Sequence, residues 1–83
     1  MKIVYDKVVY KILTRMPANE ARRIHAKIEQ YAANPESQAN NVKKLQGRVG
    51  YRMRVGDWRV IFRQDGDVMT IAAIGPRGGV YDR

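Results

Sequence analysis

Tyr51-Arg52-Met53-Arg54-Val55-Gly56-Asp57-Trp58-Arg59-Val60-Ile61-Phe62-Arg63 alternates apolar and basic side chains on both sides of a Gly-Asp pair. Side chains on a strand repeat with a period of two, so each set lines one face. Gly-Asp between two alternating runs predicts a two-residue type II′ hairpin, because Gly accepts the positive φ of the first turn position. The turn sets the register: Val55 opposite Trp58, Arg54 opposite Arg59, Met53 opposite Val60, Arg52 opposite Ile61 and Tyr51 opposite Phe62. The apolar sets then share one face, as a half-buried sheet requires. Arg52, Arg54, Arg59 and Arg63 fall on the other. Like charges directly opposed destabilise a strand pair, so Arg54 against Arg59 is a cost that a bound anion would offset.

The rest of the 83 residues is read around this hairpin. Residues 1–5 predict a short opening strand. Asp6 is placed to cap a first helix with its carboxylate, and Val8, Val9, Ile12, Leu13 and Met16 supply its apolar stripe. Met16-Pro17 breaks that helix, since the residue before proline is pushed out of the α region. A second helix starts with Pro17 at its first position or with Asn19 as its cap. Its buried stripe is Ala21, Ile24, Ile28, Tyr31 and Ala32, and Asn34-Pro35 ends it. Residues 34–42 read as a polar surface loop, and Lys43-Lys44-Leu45 leads into the hairpin. Beyond Arg63, Asp65-Gly66 is taken as a turn into a strand over 68–74. Met69, Ile71 and Ala73 are expected on the apolar face, with Thr70 and Ala72 beside Ile61 and Arg59. The expected fold is α+β: one domain over residues 1–83, a two-helix hairpin packed on a twisted antiparallel sheet in the order βααβββ.

Sixteen Lys and Arg against eight Asp and Glu give a net charge of +8. Such a surface favours polyanions. The charge is concentrated: between Lys43 and Arg63 there are seven basic residues and one acid, Asp57. There is no Cys, hence no disulfide framework. The N-terminus has no long apolar segment and no run spans a membrane, so a cytoplasmic location is expected. One His, His25, and no Cys exclude a multi-imidazole or thiolate metal site. His25 itself reads as a helix-surface residue. No carboxylate pair falls beside the arginines, as two-metal nuclease chemistry would require. Neither metal nor cofactor is expected.

Arginine, tyrosine and backbone N–H groups remain. Guanidinium forks match phosphate oxygens and stabilise charge on a phosphorane-like transition state. RNA brings its own nucleophile, the 2′-OH, so its cleavage needs only positioning, charge neutralisation and proton transfer. Arginine stays charged and is a poor base, whereas tyrosine near cations is a better acid or base. Arg52, Arg54, Arg59, Arg77 and Tyr81 therefore compose a candidate metal-free ribonuclease site. Lys43, Lys44, Arg48 and Arg63 are candidate contacts to backbone phosphates. The same residue types would also serve an RNA-binding module without catalysis. Trp58 and Tyr51 share a face with Val60 and Phe62 and are read as core.

Leu45-Gln46-Gly47, the block Tyr51 to Ile61, and Gly75-Pro76-Arg77 followed by Val80-Tyr81 resemble the RelE/ParE superfamily of toxins over the whole chain. The resemblance implies the βααβββ fold. For the RelE branch it implies a ribosome-dependent mRNA endoribonuclease, inhibited by a cognate antitoxin in a toxin–antitoxin hetero-oligomer. Arg52 and Arg54 match the two basic strand positions that contact phosphate or assist proton transfer, and Arg59 the phosphate-stabilising arginine. Arg77 matches the arginine linked to the leaving group, and Tyr81 the tyrosine that stacks on or activates the attacking nucleotide. Three features depart from the family pattern: arginine replaces lysine at 52 and 54, Pro76 stands where His or Lys is common, and Gly78-Gly79 replaces charged residues. Two other readings stay open: a ParE-like inhibitor of DNA gyrase, and a weakened RNA-binding member.

Overall fold

The computed structural model describes residues 1–76. The elements run β1 (Lys2–Tyr5), α1 (Lys7–Arg15), α2 (Ala18–Ala33), a 3₁₀ helix (Pro35–Asn41), β2 (Val42–Lys44), β3 (Tyr51–Val55), β4 (Trp58–Asp65) and β5 (Val68–Pro76). The strands form one sheet in the order β1-β5-β4-β3-β2. The helical pair, the hairpin and the following strand are thus as the sequence predicts, with a short edge strand, β2, added. The sheet is mixed and not purely antiparallel. β1 lies parallel to β5, with Lys2 beside Val68 and Tyr5 beside Ile71. A parallel neighbour needs a long crossover, and here the helices carry the chain from one sheet edge to the other.

The helix ends follow local chemistry. Asp6 is the N-cap of α1, but its carboxylate makes no capping hydrogen bond. Its backbone is occupied instead: the N–H donates to Ile71 O at 3.0 Å and the carbonyl accepts from Tyr10 N at 3.0 Å. Met16 leaves the helix at φ −88°, ψ 165°, as a residue before proline must. Pro17 is the N-cap of α2, and its carbonyl accepts from the Glu20 and Ala21 N–H groups. Asn19 therefore lies within the helix and caps nothing. Asn34 ends α2 in an extended conformation before Pro35.

The hairpin register is the one its Gly-Asp turn dictates, with all five expected pairs. Gly56 carries φ +59°. The next hairpin differs from expectation by one residue. Asp65 pairs with Val68, so the turn is Gly66-Asp67, with Gly66 at φ +58°. A turn centred on Asp65-Gly66 in the I′ form would need positive φ at Asp65, and no described non-glycine residue adopts it. Beyond the turn, Met69 and Ile71 enter the core as expected. A bulge between Ile61 and Phe62 then pairs Ala73 with Ile61 and Ile74 with Val60. Bulges shift the parity of a strand, so Ile74, not Ala73, fills the core.

The core joins Val9 of α1 to Ile24, Ile28, Tyr31 and Ala32 of α2. Against them pack Met53, Val55, Val60, Phe62, Met69, Ile71 and Ile74 of the sheet. Ile12, Leu13 and Met16 flank it partly buried, whereas Val8 is 58 % exposed and leaves the predicted stripe. Tyr51 stacks on Phe62 with ring centroids 5.4 Å apart. Trp58 packs against the core while its Nε1–H donates to Glu20 Oε1 at 2.7 Å, tying the hairpin to α2.

Candidate nucleic-acid interface

Strand alternation places Arg52, Arg54 and Arg59 on the sheet face opposite the helices. β2 extends that face, because Lys43 pairs with Arg52. Two rows of cations therefore cross the strands, Lys43 beside Arg52 and Arg54 beside Arg59. Four like charges within two adjacent rows repel one another, and an anion between them relieves that repulsion. Arg59 faces Gly75 across β4 and β5. The sequence placed Ala72 there; the shifted turn and the bulge together bring a residue without a side chain to that position.

These side chains enclose two adjoining clefts. One, of about 120 Å³, is lined by Asn40, Asn41, Lys43, Arg52, Arg54 and Arg59. The other, of about 320 Å³, is lined by Lys43, Lys44, Leu45, Gln46, Arg48 and Arg52. Lys43 and Arg52 belong to both, which makes the clefts one cationic trough. No carboxylate, imidazole or phenol stands among these lining residues. Arg63 lies outside the trough, opposite Thr70. Arg77 and Tyr81 lie outside the described residues.

Arg59 is only 9 % exposed. Its Nη1 donates to Gly56 O at 3.2 Å and Trp58 O at 3.0 Å. The guanidinium is thus held by the carbonyls of its own hairpin turn. Arg59 also lines the smaller cleft, and no buried side-chain nitrogen or oxygen among the described residues lacks a partner.

Arg54 is held from the opposite wall. The residues read as a surface loop instead form the 3₁₀ helix, with Gln38 buried at 5 % exposure. Arg54 Nη2 donates to Asn41 Oδ1 at 3.4 Å. Asn41 Nδ2 donates to Gln38 Oε1 at 3.2 Å. Gln38 Nε2 donates to Gln30 Oε1 at 2.8 Å. Sequence reading passed over all three amides. No periodicity marks them, because Gln38 itself departs from helical geometry at φ −117°, ψ 20°.

The helical layer carries a separate, mainly apolar hollow of about 570 Å³, lined by Leu13, Ala21, Arg22, His25 and Ala26. It is larger than either cationic cleft, and its two polar lining groups, Arg22 and His25, stand among apolar side chains. His25 Nδ1 lies 2.8 Å from Tyr5 Oη, and its Nε2 is 3.4 Å from Glu29 Oε2. Burial, then the Glu29 carboxylate, push the Tyr5 hydroxyl up to about 12. Among the described helices, none is long and apolar enough to cross a membrane.

Fold and trough together define a small α+β domain that gathers cations on the sheet face turned away from its helices. The chain belongs to the RelE/ParE toxin superfamily, since residues 5–81 match the family described as the ParE toxin of the type II toxin–antitoxin system parDE. It is 30 % identical to the toxin RelE3 of Methanocaldococcus jannaschii, over 99 % of this chain and 97 % of that protein. Among solved structures, the archaeal RelE–RelB complex from Pyrococcus horikoshii OT3 superposes with a TM-score of 0.77 at 30 % identity. That match covers 94 % of this chain and 96 % of the other. The RelB–RelE antitoxin–toxin complex from Methanococcus jannaschii gives a TM-score of 0.73 at 26 % identity, covering 95 % of each chain.

Proposed function

We propose that the chain is the toxin of a type II toxin–antitoxin pair and acts as a ribosome-dependent mRNA endoribonuclease. The observation that carries this reading is the trough in which Lys43, Arg52, Arg54 and Arg59 converge with no acidic residue among the described residues of its lining. The scissile phosphate sits between Arg54 and Arg59. The 2′-oxygen of the preceding ribose attacks phosphorus, the bond to the 5′-oxygen breaks, and a 2′,3′-cyclic phosphate forms. Arg52, Arg54 and Arg59 neutralise charge developing on the non-bridging oxygens. Guanidinium groups stay protonated and do not take the 2′-OH proton. Tyr81 is assigned to activating the attacking nucleotide, its phenolate taking the 2′-OH proton, and Arg77 to stabilising the leaving 5′-oxygen, which takes up a proton from water. Lys43, Lys44, Arg48 and Arg63 hold flanking phosphates. No metal enters this route. The ribosome supplies the orientation of the substrate, which is a large part of the barrier reduction in such a reaction.

The RelE–RelB complexes among the structural relatives support a cognate antitoxin for this chain as well. It carries acidic residues and covers the arginine face or lies along the helices, so that toxin and antitoxin form a hetero-oligomer.

Primer extension on a reporter mRNA after brief induction tests the proposal. Discrete cuts inside translated codons are expected from the wild-type chain and not from Arg59→Ala. Intact mRNA during growth arrest would overturn it and turn attention to DNA gyrase, the reading that the ParE description of the matched family favours.

A further inference from the structure

The four groups Gln30, Gln38, Asn41 and Arg54 form a chain of donors and acceptors with one direction. Arg54 donates to Asn41, Asn41 to Gln38 and Gln38 to Gln30. A primary amide offers a carbonyl acceptor and an NH₂ donor, and Gln38 and Asn41 each use both ends. Reversing either amide would face nitrogen with nitrogen and oxygen with oxygen, so each orientation fixes the next. The chain starts on α2, a long helix packed into the core. It passes through a side chain that is 5 % exposed and ends on an exposed strand arginine at the cleft. Burying a neutral amide is costly unless both ends are satisfied, and here the satisfaction runs toward the cationic trough.

We infer that Gln38, acting through Asn41, is a positioning residue that sets the orientation of the Arg54 guanidinium toward the bound phosphate. Arg54 is otherwise a long side chain on an exposed strand position, with rotamer freedom to lose on binding. The amide chain removes part of that freedom beforehand. It uses one N–H of Arg54 at a rather long 3.4 Å, which leaves the rest of the five-donor fork for the anion. Arg59 is held on the other side by the carbonyls of Gly56 and Trp58. The two opposed guanidinium groups are thus oriented from opposite walls, one by the hairpin turn and one by the 3₁₀ helix. The inference rests on the proposed reading of the cleft as the phosphate site.

The test is a double-mutant cycle with an independent spectroscopic arm. In ribosome-programmed cleavage assays, Gln38→Met is expected to lower the rate about tenfold, the scale of a modest misplacement of a reacting group. In the Arg54→Ala background the same change is expected to have no further effect within about twofold, because coupled residues are non-additive. Full additivity would overturn the inference. The second arm records the ¹⁵N side-chain signals of Arg54 and Arg63 without substrate. Gln38→Met and, separately, Asn41→Ala should move the Arg54 signal toward that of a freely rotating arginine and leave Arg63 unchanged. An unmoved Arg54 signal in folded Asn41→Ala protein would overturn it, even if Gln38→Met fails to fold. If the wild-type chain cleaves no mRNA, the proposed function fails, and the spectroscopic arm alone still decides whether the amides orient Arg54.

Discussion

Arg59 combines two properties that usually exclude each other, a charge and near-complete burial. The combination is tolerated because a guanidinium has five N–H groups in a rigid fork. Its Nη1 is spent on the carbonyls of Gly56 and Trp58, and on the proposed reading the rest of the fork meets the phosphate. Lysine carries the same charge as a point and cannot serve both sides at once. Arg59→Lys should therefore recover little of the cleavage lost in Arg59→Ala, for which a loss of about 10²- to 10³-fold in kcat is expected by analogy with removal of one transition-state donor. Rate measurements on both variants beside the wild type check this. Tyr5 gives a prediction about stability. Its hydroxyl is pushed up to about 12 from an ordinary value of 10.0, first by burial and then by Glu29. The folded state holds that proton more tightly than the unfolded chain does. The resulting stability is complete below pH 10 and is lost as pH rises toward 12. Denaturant unfolding at a series of alkaline pH values should show this decline, and Tyr5→Phe should flatten it.

At the scale of elements, both hairpins are closed by the same dipeptide, Gly56-Asp57 and Gly66-Asp67. The two glycines sit at φ +59° and +58°, where a side chain costs about 1–2 kcal/mol. A Cβ on Gly56 would also come within 2.8 Å of Arg23 Nη1, whereas one on Gly66 meets nothing within 4 Å. Gly66→Ala should therefore destabilise by about 1–2 kcal/mol. Gly56→Ala should cost that much plus the displacement of a flexible arginine end, and chemical denaturation of both variants isolates the second contribution. The first hairpin was legible because alternation on both sides of its turn admits only one register. The second was misplaced by one residue because Asp65-Gly66-Asp67 contains two turn dipeptides. The bulge that follows was illegible, since Ala72, Ala73 and Gly75 carry too little side chain to mark a change of face. Strand β2 and the 3₁₀ helix were missed for a related reason. Three strand residues and a polar seven-residue segment show no periodicity long enough to read. In the site, the arginine spacing was legible because a strand enforces it. Asn41 and Gln38 were not, because the link from Gln38 through Asn41 to Arg54 depends on where the 3₁₀ helix docks.

For the molecule as a whole, charge is divided between the two sides of the sheet. The trough gathers Lys43, Lys44, Arg48, Arg52, Arg54 and Arg59, within a chain of net charge +8. RNA binding to such a surface releases counterions, with a salt slope of about 0.7 per phosphate contacted on a single strand. Lys44→Ala should lower the slope of log affinity against log salt by about that amount and leave the positions of cleavage unchanged. Binding of a short single-stranded RNA measured from low to physiological salt checks it. The parallel pairing of β1 with β5 has a further consequence, for the order of events in synthesis. Lys2 finds its partner at Val68, so the first strand waits until nearly the whole described chain exists. β5 also brings Met69, Ile71 and Ile74 to the core and stands between β1 and β4. A nascent chain that lacks it has neither a closed core nor a seat for its first strand. Pairings this distant in sequence form slowly. The domain thus closes only after β5 has been synthesised, so its first and last described strands are joined in one late step.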